Sequence, residues 1–330
     1  MVVDEVLRLL WEHPEDFLSG EAMSRALGVS RTAVWKGIQA LRQAGYEIDS
    51  APNRGYRLRS APDVLRADEL QRGTAGCLLG RQVVCLEIVD STNTEVKRRA
   101  ADGALEGLAV LADQQTGGRG RRGRSFQSPP GQGLYLSVLL RPPVPPAQAV
   151  NLTAWVAVAV CDGIEEACGI RPGIKWPNDI IWDGKKLCGI LTEMELEGET
   201  GTLQWVIPGI GTNVTQQPED FSPDVRPVAA SLAMTGHPVT RARLAVCQLR
   251  ALDRMYRDFL DGNQARWLER YRQNCITLGR QVLLVRGDRR EEAFAEAIGE
   301  DFSLVVRHPD GTRETVSSGE VSVRGLLGYV

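Results

Sequence analysis

The residues best suited to chemistry are cationic, and a first group of them shares one short loop. The loop Gly118–Arg124 carries four arginines, Arg119, Arg121, Arg122 and Arg124, and no acidic residue. An anionic ligand, a carboxylate or a polyphosphate, explains so many arginines on a glycine-rich backbone better than an exposed basic loop does. The loop also matches GxGxxG, but the prolines that follow do not open the helix that a dinucleotide site requires.

A second group of polar side chains lies about fifty residues further along the chain. Residues 175–179 read Lys-Trp-Pro-Asn-Asp. Trp176 can stack on a base, Asn178 can donate hydrogen bonds, and Asp179 can hold a magnesium ion. The same five residues are equally compatible with a strand end and a turn. Lys186 begins a predicted strand, from which its side chain can point into a pocket.

Several common kinds of active site are excluded by what the sequence lacks. The three histidines lie far apart with no nucleophile pattern near them, which argues against triad hydrolysis and a histidine-bound metal. No Walker A motif is present. The seven cysteines are scattered and never spaced as CxxC, so they indicate a reducing compartment rather than a zinc site or disulfide framework.

The elements that must position these groups are mixed strands and helices over residues 66–275. A strand at 83–89 precedes Thr92 and Glu95, whose spacing predicts a capping box at the start of a helix. The apolar run 147–168 is compatible with helix or strand by its periodicity, and its length favours a buried helix. Strands are predicted near residues 108–112, 134–140, 187–195 and 203–210. The order of elements is α+β, without strict βαβ alternation.

The first 62 residues predict a separate module of three helices and a hairpin. Hydrophobic spacing gives helices that end near Pro14, Gly28 and Gly45, with Ser30 as the N-cap of the third. Alternation around residues 52–55 predicts two strands, and the whole outline is that of a winged helix-turn-helix. Between Ser19 and Ser60 there are seven basic and three acidic residues.

DNA binding explains these basic residues better than a solvated three-helix module does, because they occupy both the exposed helix face and the wing. The predicted DNA-binding residues are those of the third helix and the wing: Arg31, Thr32, Trp35, Lys36, Gln39, Arg42, Arg54 and Arg57.

Composition and the C-terminal tail complete the outline. The chain has 330 residues, 43% hydrophobic and 25% charged, and a net charge of −3, which is ordinary for a soluble protein of two or three domains. No long apolar run or signal peptide is evident, so we expect no membrane partner and a cytoplasmic location. Short strands at 282–285, 302–306 and 320–323 predict a small all-β barrel over 276–330.

Taken together, four motifs in this order resemble the bifunctional biotin–protein ligases that also repress the biotin operon. The motifs are Asp90–Asn93, Gln115–Arg124, Lys175–Asp179 and Lys186–Leu191. The resemblance extends over essentially the whole chain. It implies a class II synthetase-like ligase domain at 66–275 and an SH3-like β domain at 276–330, beside the winged helix at 1–62.

The resemblance also implies a reaction and its participants. Biotin and MgATP form biotinoyl-5′-AMP, and a lysine of the biotin carboxyl carrier protein then takes the biotin. Operator DNA is the other partner, bound by a homodimer that carries the adenylate. The implied biotin-binding residues are Ser91, Thr92, Asn93, Gln115, Arg119, Gly120, Arg121 and Lys186. The implied ATP-binding residues are Arg121, Arg124, Trp176, Asn178 and Lys186, with Asp179 assisting Mg²⁺ and Lys186 and Arg121 acting in catalysis.

Two departures from the family pattern and two alternatives stay open. Gly117 stands where an alanine is usual, which should loosen the arginine loop. The segment 216–228 has no tryptophan, and Phe221 is the candidate to pack on adenine there. A lipoate–protein ligase shares the adenylation logic, although the winged helix and the Gly-Arg loop argue against it. The other alternative is a transcription factor that senses a metabolite without turnover.

Overall fold

The chain folds into two units. The computed structural model describes residues 2–13, 16–52, 54–60, 62–317 and 322–325. The first unit is Met1–Val64 and the second is Leu65–Val330. The predicted boundary near residue 275 lies inside the second unit and stays a prediction. Pro14, predicted to end the first helix, lies outside the described residues.

The described residues of the first unit form three helices and a two-stranded sheet. They are α1 (Val2–Glu12), α2 (Gly20–Leu27), α3 (Arg31–Gln43), β1 (Glu47–Ala51) and β2 (Gly55–Ser60). The Ser19 and Ser30 hydroxyls cap α2 and α3 by accepting from the backbone N–H groups of Ala22 and Ala33. Gly28 ends α2 with a φ of 64°, a left-handed conformation that favours glycine. This is the predicted helix-turn-helix with a hairpin.

The wing is fixed to the segment that precedes α2. Leu18 exchanges two backbone hydrogen bonds with Tyr56 of β2, at 2.8 and 2.9 Å. A Cβ atom on Gly55 would lie 2.0 Å from the Leu18 carbonyl oxygen, and its φ is +110°. Only glycine fits where the backbones approach so closely.

The second unit contains a seven-stranded sheet, a five-stranded sheet and six helices among the residues that the structure describes. The helices are α4 (Ala67–Gly73), α5 (Thr92–Ala101), α6 (Pro146–Ala149), α7 (Leu152–Cys168), α8 (Arg241–Leu260) and α9 (Gln264–Asn274). The strands of the larger sheet are β3 (Gln82–Val89), β4 (Leu108–Gln115), β5 (Gly133–Val138), β6 (Gly173–Lys175), β7 (Asp179–Trp182), β8 (Lys185–Leu196) and β9 (Leu203–Asn213).

The larger sheet has the order β3-β4-β5-β9-β8-β7-β6 and is mixed. The pair β3–β4 is parallel, and the other neighbours are antiparallel. Helix α7 is buried along most of its length and belongs to the main hydrophobic core, as its apolar sequence predicts. The run Pro146–Cys168 is long and apolar enough to span a membrane by length and composition, and 67% of its most apolar window is buried inside the protein.

The C-terminal strands form an antiparallel sheet of the order β13-β12-β11-β10-β14. They are β10 (Gln281–Arg286), β11 (Arg289–Ile298), β12 (Leu304–Arg307), β13 (Arg313–Val316) and β14 (Ser322–Gly325). Within the described residues β13 does not pair with β14, so the closed barrel predicted from the sequence is not observed there. Residues 320 and 321 of the last predicted strand lie outside the described part of the chain.

The predicted capping box at α5 is wrong. Ser91 occupies the N-cap position without a side-chain cap, and Thr92 is the first helical residue. The Thr92 hydroxyl donates to Gln115 Oε1 at 3.2 Å, and Glu95 pairs with Arg98 and Arg99. A long-range hydrogen bond has replaced the local one.

Candidate functional site

One cavity of about 610 Å³ opens in the second unit, and twelve predicted ligand residues line it. They come from five places: the N-terminus of α5 with its N-cap residue Ser91, the end of β4, the arginine loop, the β6–β7 turn with the first residue of β7, and the start of β8. The lining set includes Ser91, Thr92, Asn93, Gln115, Arg119, Gly120, Arg121, Arg124, Trp176, Asn178, Asp179 and Lys186. Four sequence motifs spread over about a hundred residues therefore meet in one place.

A chain of hydrogen-bonded polar groups crosses one side of the cavity. The Gln115 Oε1 atom accepts from the Thr92 backbone N–H at 2.9 Å and from its hydroxyl. Gln115 Nε2 donates to the Ser128 hydroxyl at 2.9 Å. The Ser137 hydroxyl lies 2.7 Å from the Thr92 hydroxyl and donates to Asn93 Oδ1 at 2.6 Å. These groups are held in place and can bind a polar ring without rearranging.

Asn93 is held on its other side by a carboxylate. Its Nδ2 group donates to Glu193 Oε2 at 2.7 Å and to the Leu191 carbonyl oxygen at 3.2 Å. Lys97 lies 2.6 Å from the other oxygen of Glu193. Burial raises the pKa of the Glu193 carboxyl, but the Lys97 and Asn93 hydrogen bonds outweigh it, and the pKa is lowered overall. Glu193 is therefore an anion at neutral pH, and sequence analysis missed it.

The arginine loop covers the cavity as a short turn rather than as the start of a long helix. A single 3₁₀ turn spans Arg121–Gly123, with Arg122 at a φ of 56°. Arg121 donates to Asn178 Oδ1 at 3.1 Å, and Arg119 donates to the Thr94 hydroxyl at 3.0 Å. This turn agrees with the sequence argument against a dinucleotide fingerprint. Burial lowers the pKa of Arg121, which nevertheless stays a cation because the unperturbed value is so high.

Lys186 lines the cavity beside an acidic partner. Its Nζ atom is 2.6 Å from Asp179 Oδ1, and both side chains are partly buried. In the β7–β8 ladder Lys186 is opposite Ile181 and Lys185 is opposite Trp182, so the two lysines face opposite sides of the sheet. Lys186 lines the cavity and Lys185 does not.

The donor set offers little for a metal held by protein alone. Within the described ranges, no group of three or more His, Cys, Asp or Glu side chains is placed to hold a metal ion. One carboxylate, Asp179, is among the lining residues of the cavity, beside four cationic side chains of the loop, Arg119, Arg121, Arg122 and Arg124. That arrangement fits a Mg²⁺ ion carried mainly by nucleotide phosphates, which needs only one or two protein carboxylates.

Glycines on β8 and β9 make room for the cavity, and sequence analysis missed them. A Cβ atom on Gly209 would lie 2.2 Å from Asn93 Oδ1, and one on Gly211 would lie 2.6 Å from Phe126 Cε1. On Gly189 it would lie 2.9 Å from Lys186 Nζ. The alternation of glycine with apolar residues at 209–211 was a usable signal, because glycine inside a strand marks close approach of another group.

Two predicted contacts with the nucleotide base are not supported. The Trp176 side chain is only 2% exposed, and its indole N–H donates to the Phe302 carbonyl oxygen at 2.9 Å. The burial of the ring beside Phe302, in the loop between β11 and β12, gives no support to stacking on a base, which stays a prediction. Phe221 is 5% exposed and does not line the cavity, so it is not placed to pack on adenine. The buried Lys175, which was not among the predicted ligand residues, also lines the cavity.

The predicted DNA-binding residues divide into exposed and internally bonded groups. Arg31, Thr32, Trp35 and Lys36 of α3 are exposed, and Gln39 is half-buried. Arg31 also pairs with Glu21 of α2. Arg42 donates to the Ile48 carbonyl oxygen and the Ser50 hydroxyl, both at 2.6 Å, so its guanidinium fastens α3 to β1.

The two wing arginines share an aromatic partner. The guanidinium carbons of Arg54 and Arg57 lie 4.6 and 4.7 Å from the centre of the Phe17 ring. Arg57 also pairs with Asp49 at 3.0 Å. These contacts keep two cations together on the wing, where they are available to phosphate.

Comparisons with known proteins agree with this description. Residues 85–213 match the Biotin/lipoate A/B protein ligase family, and residues 3–57 match an HTH domain. The bifunctional ligase/repressor BirA of Bacillus subtilis (strain 168) is 41% identical over 257 residues, 78% of each chain. BirA of Escherichia coli (strain K12) is 32% identical over 309 residues, 94% of each chain.

A solved structure supports the same relation. The biotin protein ligase of Aquifex aeolicus, in complex with biotin and ATP, superposes with a TM-score of 0.62 at 27% identity. The match covers 74% of this chain and 98% of that chain.

Proposed function

This chain belongs to the family of bifunctional biotin–protein ligases and repressors, and from that premise we propose how its residues perform both activities. As a ligase, it joins biotin to AMP at the expense of ATP and transfers the biotin to a lysine of the biotin carboxyl carrier protein. As a repressor, it binds operator DNA of biotin synthesis genes through α2, α3 and the wing.

The first chemical step is the attack of the biotin carboxylate on the α-phosphate of ATP, with pyrophosphate as the leaving group. Two anions must approach each other, so the barrier is lowered by cationic screening and positioning rather than by a side-chain nucleophile. The observation that carries this proposal is the meeting of Lys186 and the arginine loop with the neutral polar groups of Thr92, Asn93 and Gln115 in one cavity.

The division of the cavity suggests which end of the ligand lies where. Ser91, Thr92, Asn93 and Gln115 bind the polar ring of biotin, since all four are uncharged. Thr92 is hydrogen-bonded to Gln115 and is linked to Asn93 through Ser137. Lys186 lies between the biotin carboxylate and the α-phosphate, and exchanges its Asp179 partner for these anions.

The arginine loop and the β6–β7 turn bind the phosphates. Arg119, Gly120, Arg121 and Arg124 close over biotin and the phosphates, and Asn178 orients Arg121. Magnesium, when bound with ATP, supplies further neutralisation of phosphate charge beside Asp179. Trp176 contributes to nucleotide binding through its backbone, and its buried ring keeps the β6–β7 turn rigid.

The second step, like the first, needs no nucleophile from this protein. The amine of the carrier lysine attacks the carbonyl carbon of biotinoyl-AMP, an amide bond forms, and AMP leaves. Lys186 and Arg121 stabilise the departing phosphate by their charge. A class II synthetase-like ligase domain and an SH3-like C-terminal domain remain part of this proposal, supported by the mixed and antiparallel sheets of the second unit.

The repressor activity rests on the first unit. Exposed Arg31, Thr32, Trp35 and Lys36 supply base and phosphate contacts, and Arg54 and Arg57 bind phosphate. Arg42 acts mainly by fastening α3, and Gln39 lies at the edge of the contact face. A single small module gives little specificity, so a homodimer that carries the adenylate binds a palindromic operator.

A cytoplasmic location suits both partners, the carrier protein and operator DNA. The unpaired state of all seven cysteines suits a reducing compartment.

One assay separates the proposal from its alternatives. ATP–pyrophosphate exchange is measured with biotin and with lipoate side by side. We expect exchange with biotin alone. Exchange with lipoate would favour a lipoate–protein ligase, and no exchange with either acid would favour a sensor without turnover.

The repressor activity has its own test. Sedimentation and gel-shift titration with and without biotin plus ATP should show dimer population and operator affinity rising together. DNA binding that ignores the ligand would contradict the coupling. DNA binding that survives deletion of residues 1–64 would contradict the assignment to the first unit.

A further inference from the structure

Glu193 connects two parts of the cavity that are distant in sequence. Its Oε2 atom accepts from Asn93 Nδ2 at 2.7 Å and lies 3.5 Å from the Arg119 guanidinium. Asn93 belongs to the polar lining, and Arg119 belongs to the arginine loop. One carboxylate on β8 therefore contacts both the fixed side of the site and its covering loop.

The surroundings keep this carboxylate charged and in one place. Lys97 of α5 binds the other oxygen at 2.6 Å, and the Glu193 side chain is 21% exposed. The lowered pKa of Glu193 follows from these hydrogen bonds and cations. Because Lys97 occupies one oxygen, the second oxygen stays directed at Asn93 and Arg119.

Arg119 has the geometry of a fastening point for the loop. It donates to the Thr94 hydroxyl at 3.0 Å while facing Glu193, so one residue of α5 and one of β8 hold the same guanidinium. The loop is also held by the Gly120 N–H, which donates to the Arg124 carbonyl oxygen at 2.7 Å, and by Arg121, which donates to Asn178. The Arg119 contacts join it to α5 and β8. The position of the loop thus depends on what its arginines bind.

We infer that Glu193 is a positioning residue of the ligand site, whose carboxylate aligns Asn93 and fastens the arginine loop through Arg119. It does not touch the reacting atoms. It acts by raising the fraction of molecules in which the loop covers the cavity, and the apparent affinity for biotin follows that fraction. The part of the inference that concerns biotin rests on the proposed function.

The exposure of the Arg119 side chain to solvent limits the size of the expected effect. Arg119 is 47% exposed, and pairs between exposed charges are weak and screened by salt. Loss of the Glu193 charge should therefore increase the opened fraction about two- to fivefold rather than abolish closure. The effect should shrink as ionic strength rises.

Limited digestion with trypsin tests the contact without any ligand, because trypsin cleaves after the arginines of the loop itself. Glu193→Gln removes the charge but keeps an oxygen that can accept from Asn93. We expect cleavage after Arg122 and Arg124 to become two- to fivefold faster. Glu195→Gln is the matched control, since Glu195 lies two residues further along β8 and is exposed. Its loop should be cleaved at the wild-type rate.

A double variant shows whether Glu193 acts through Arg119. Arg119→Gln alone should accelerate cleavage after Arg122 and Arg124 by a similar factor. Adding Glu193→Gln to it should then bring little further change. A full further acceleration, or unchanged cleavage of Glu193→Gln, would overturn the inference. If Glu193→Gln fails to fold, unchanged cleavage of Arg119→Gln would overturn it equally.

The catalytic readout separates this inference from the proposed function. In biotin-dependent pyrophosphate exchange, Glu193→Gln should raise KM for biotin by up to the same factor and change kcat less. An unchanged KM for biotin together with faster cleavage would mean that Glu193 affects only the position of the loop, and would overturn its role in the ligand site. If the wild-type chain showed no exchange, the proposed function would fail, while the digestion would still test the contact.

Discussion

Gly209→Ala is the substitution whose effect on the proposed biotin site follows most directly from the structure. Gly209 lies on β9 between Ser137 of β5 and Leu191 of β8. An added Cβ would lie 2.2 Å from Asn93 Oδ1 and 2.8 Å from its Cγ. Contacts under 3.0 Å are not tolerated, so the Asn93 amide must move by about 1 Å.

The cost follows from what Asn93 binds. Its amide accepts from Ser137 and donates to Leu191 and Glu193, and it is 4% exposed. Each neutral hydrogen bond contributes about 1 kcal/mol, and one to a charged group about 1.5–3 kcal/mol. Loss of all three therefore costs about 3–5 kcal/mol, and partial relaxation would reduce that cost. A misplacement of about 1 Å at a binding group can reduce function by about 10²-fold.

The assay is pyrophosphate exchange with KM for biotin, accompanied by thermal unfolding. We expect KM for biotin to rise by about 10²-fold and the free energy of unfolding to fall by a few kcal/mol. Gly198→Ala is the control, because a Cβ there meets nothing within 4 Å. A normal KM in Gly209→Ala would refute the reasoning. The reasoning would also be refuted if the double variant Gly209→Ala/Asn93→Ala lost as much stability as the two single variants together. Removal of the Asn93 amide should relieve the clash.

Three further predictions concern the cations. Lys186→Ala should reduce biotinoyl-AMP formation by about 10²-fold or more, whereas Lys185→Ala should be much milder; near-normal adenylation by the first variant would contradict the role of Lys186. Arg121→Gly should let the adenylate escape and biotinylate unintended lysines, measured by labelling of a bystander protein; wild-type retention of the adenylate would contradict it. Replacing Arg54 or Arg57 by Ala should weaken binding to operator DNA and to unrelated DNA about equally. It should lower the slope of log affinity against log salt concentration by about one, which a gel-shift titration at several salt concentrations checks.

The parts of the site that sequence predicts are those in which a few adjacent residues carry the whole signal. Ser91 is the N-cap residue of α5 and Thr92 and Asn93 begin it, the four arginines share one loop, and Lys186 is the second residue of β8. The arginine loop and Lys186 were selected from residue type and position, Ser91, Thr92 and Asn93 from their resemblance to a family motif, and the structure brings them to one cavity. The fold of the first unit was predictable for the same reason, since caps, glycine turns and hydrophobic periodicity are local features.

The parts that sequence could not predict depend on partners far along the chain. Thr92 matched a capping box, but Gln115, 23 residues later, took its hydroxyl. Trp176 had the composition of a stacking residue, but Phe302, 126 residues later, holds its indole N–H in the core. Glu193 lies 100 residues after Asn93 in the sequence. A lone glutamate on a strand gives no local sign of such a partner.

The cations of the cavity share one feature that bears on how the site works. Lys186 has Asp179, Arg121 has Asn178, and Arg119 has Thr94 and Glu193 as acceptors within the protein. These contacts align the cations in advance, so that their reorganisation contributes little to the barrier. Incoming carboxylate and phosphate oxygens compete with an amide or an already paired carboxylate, and the stronger charge-assisted contacts to the anions decide the exchange. In the proposed site Lys186 and Arg121 exchange these partners for the substrate anions, whereas Arg119 keeps Glu193 and so fastens the loop.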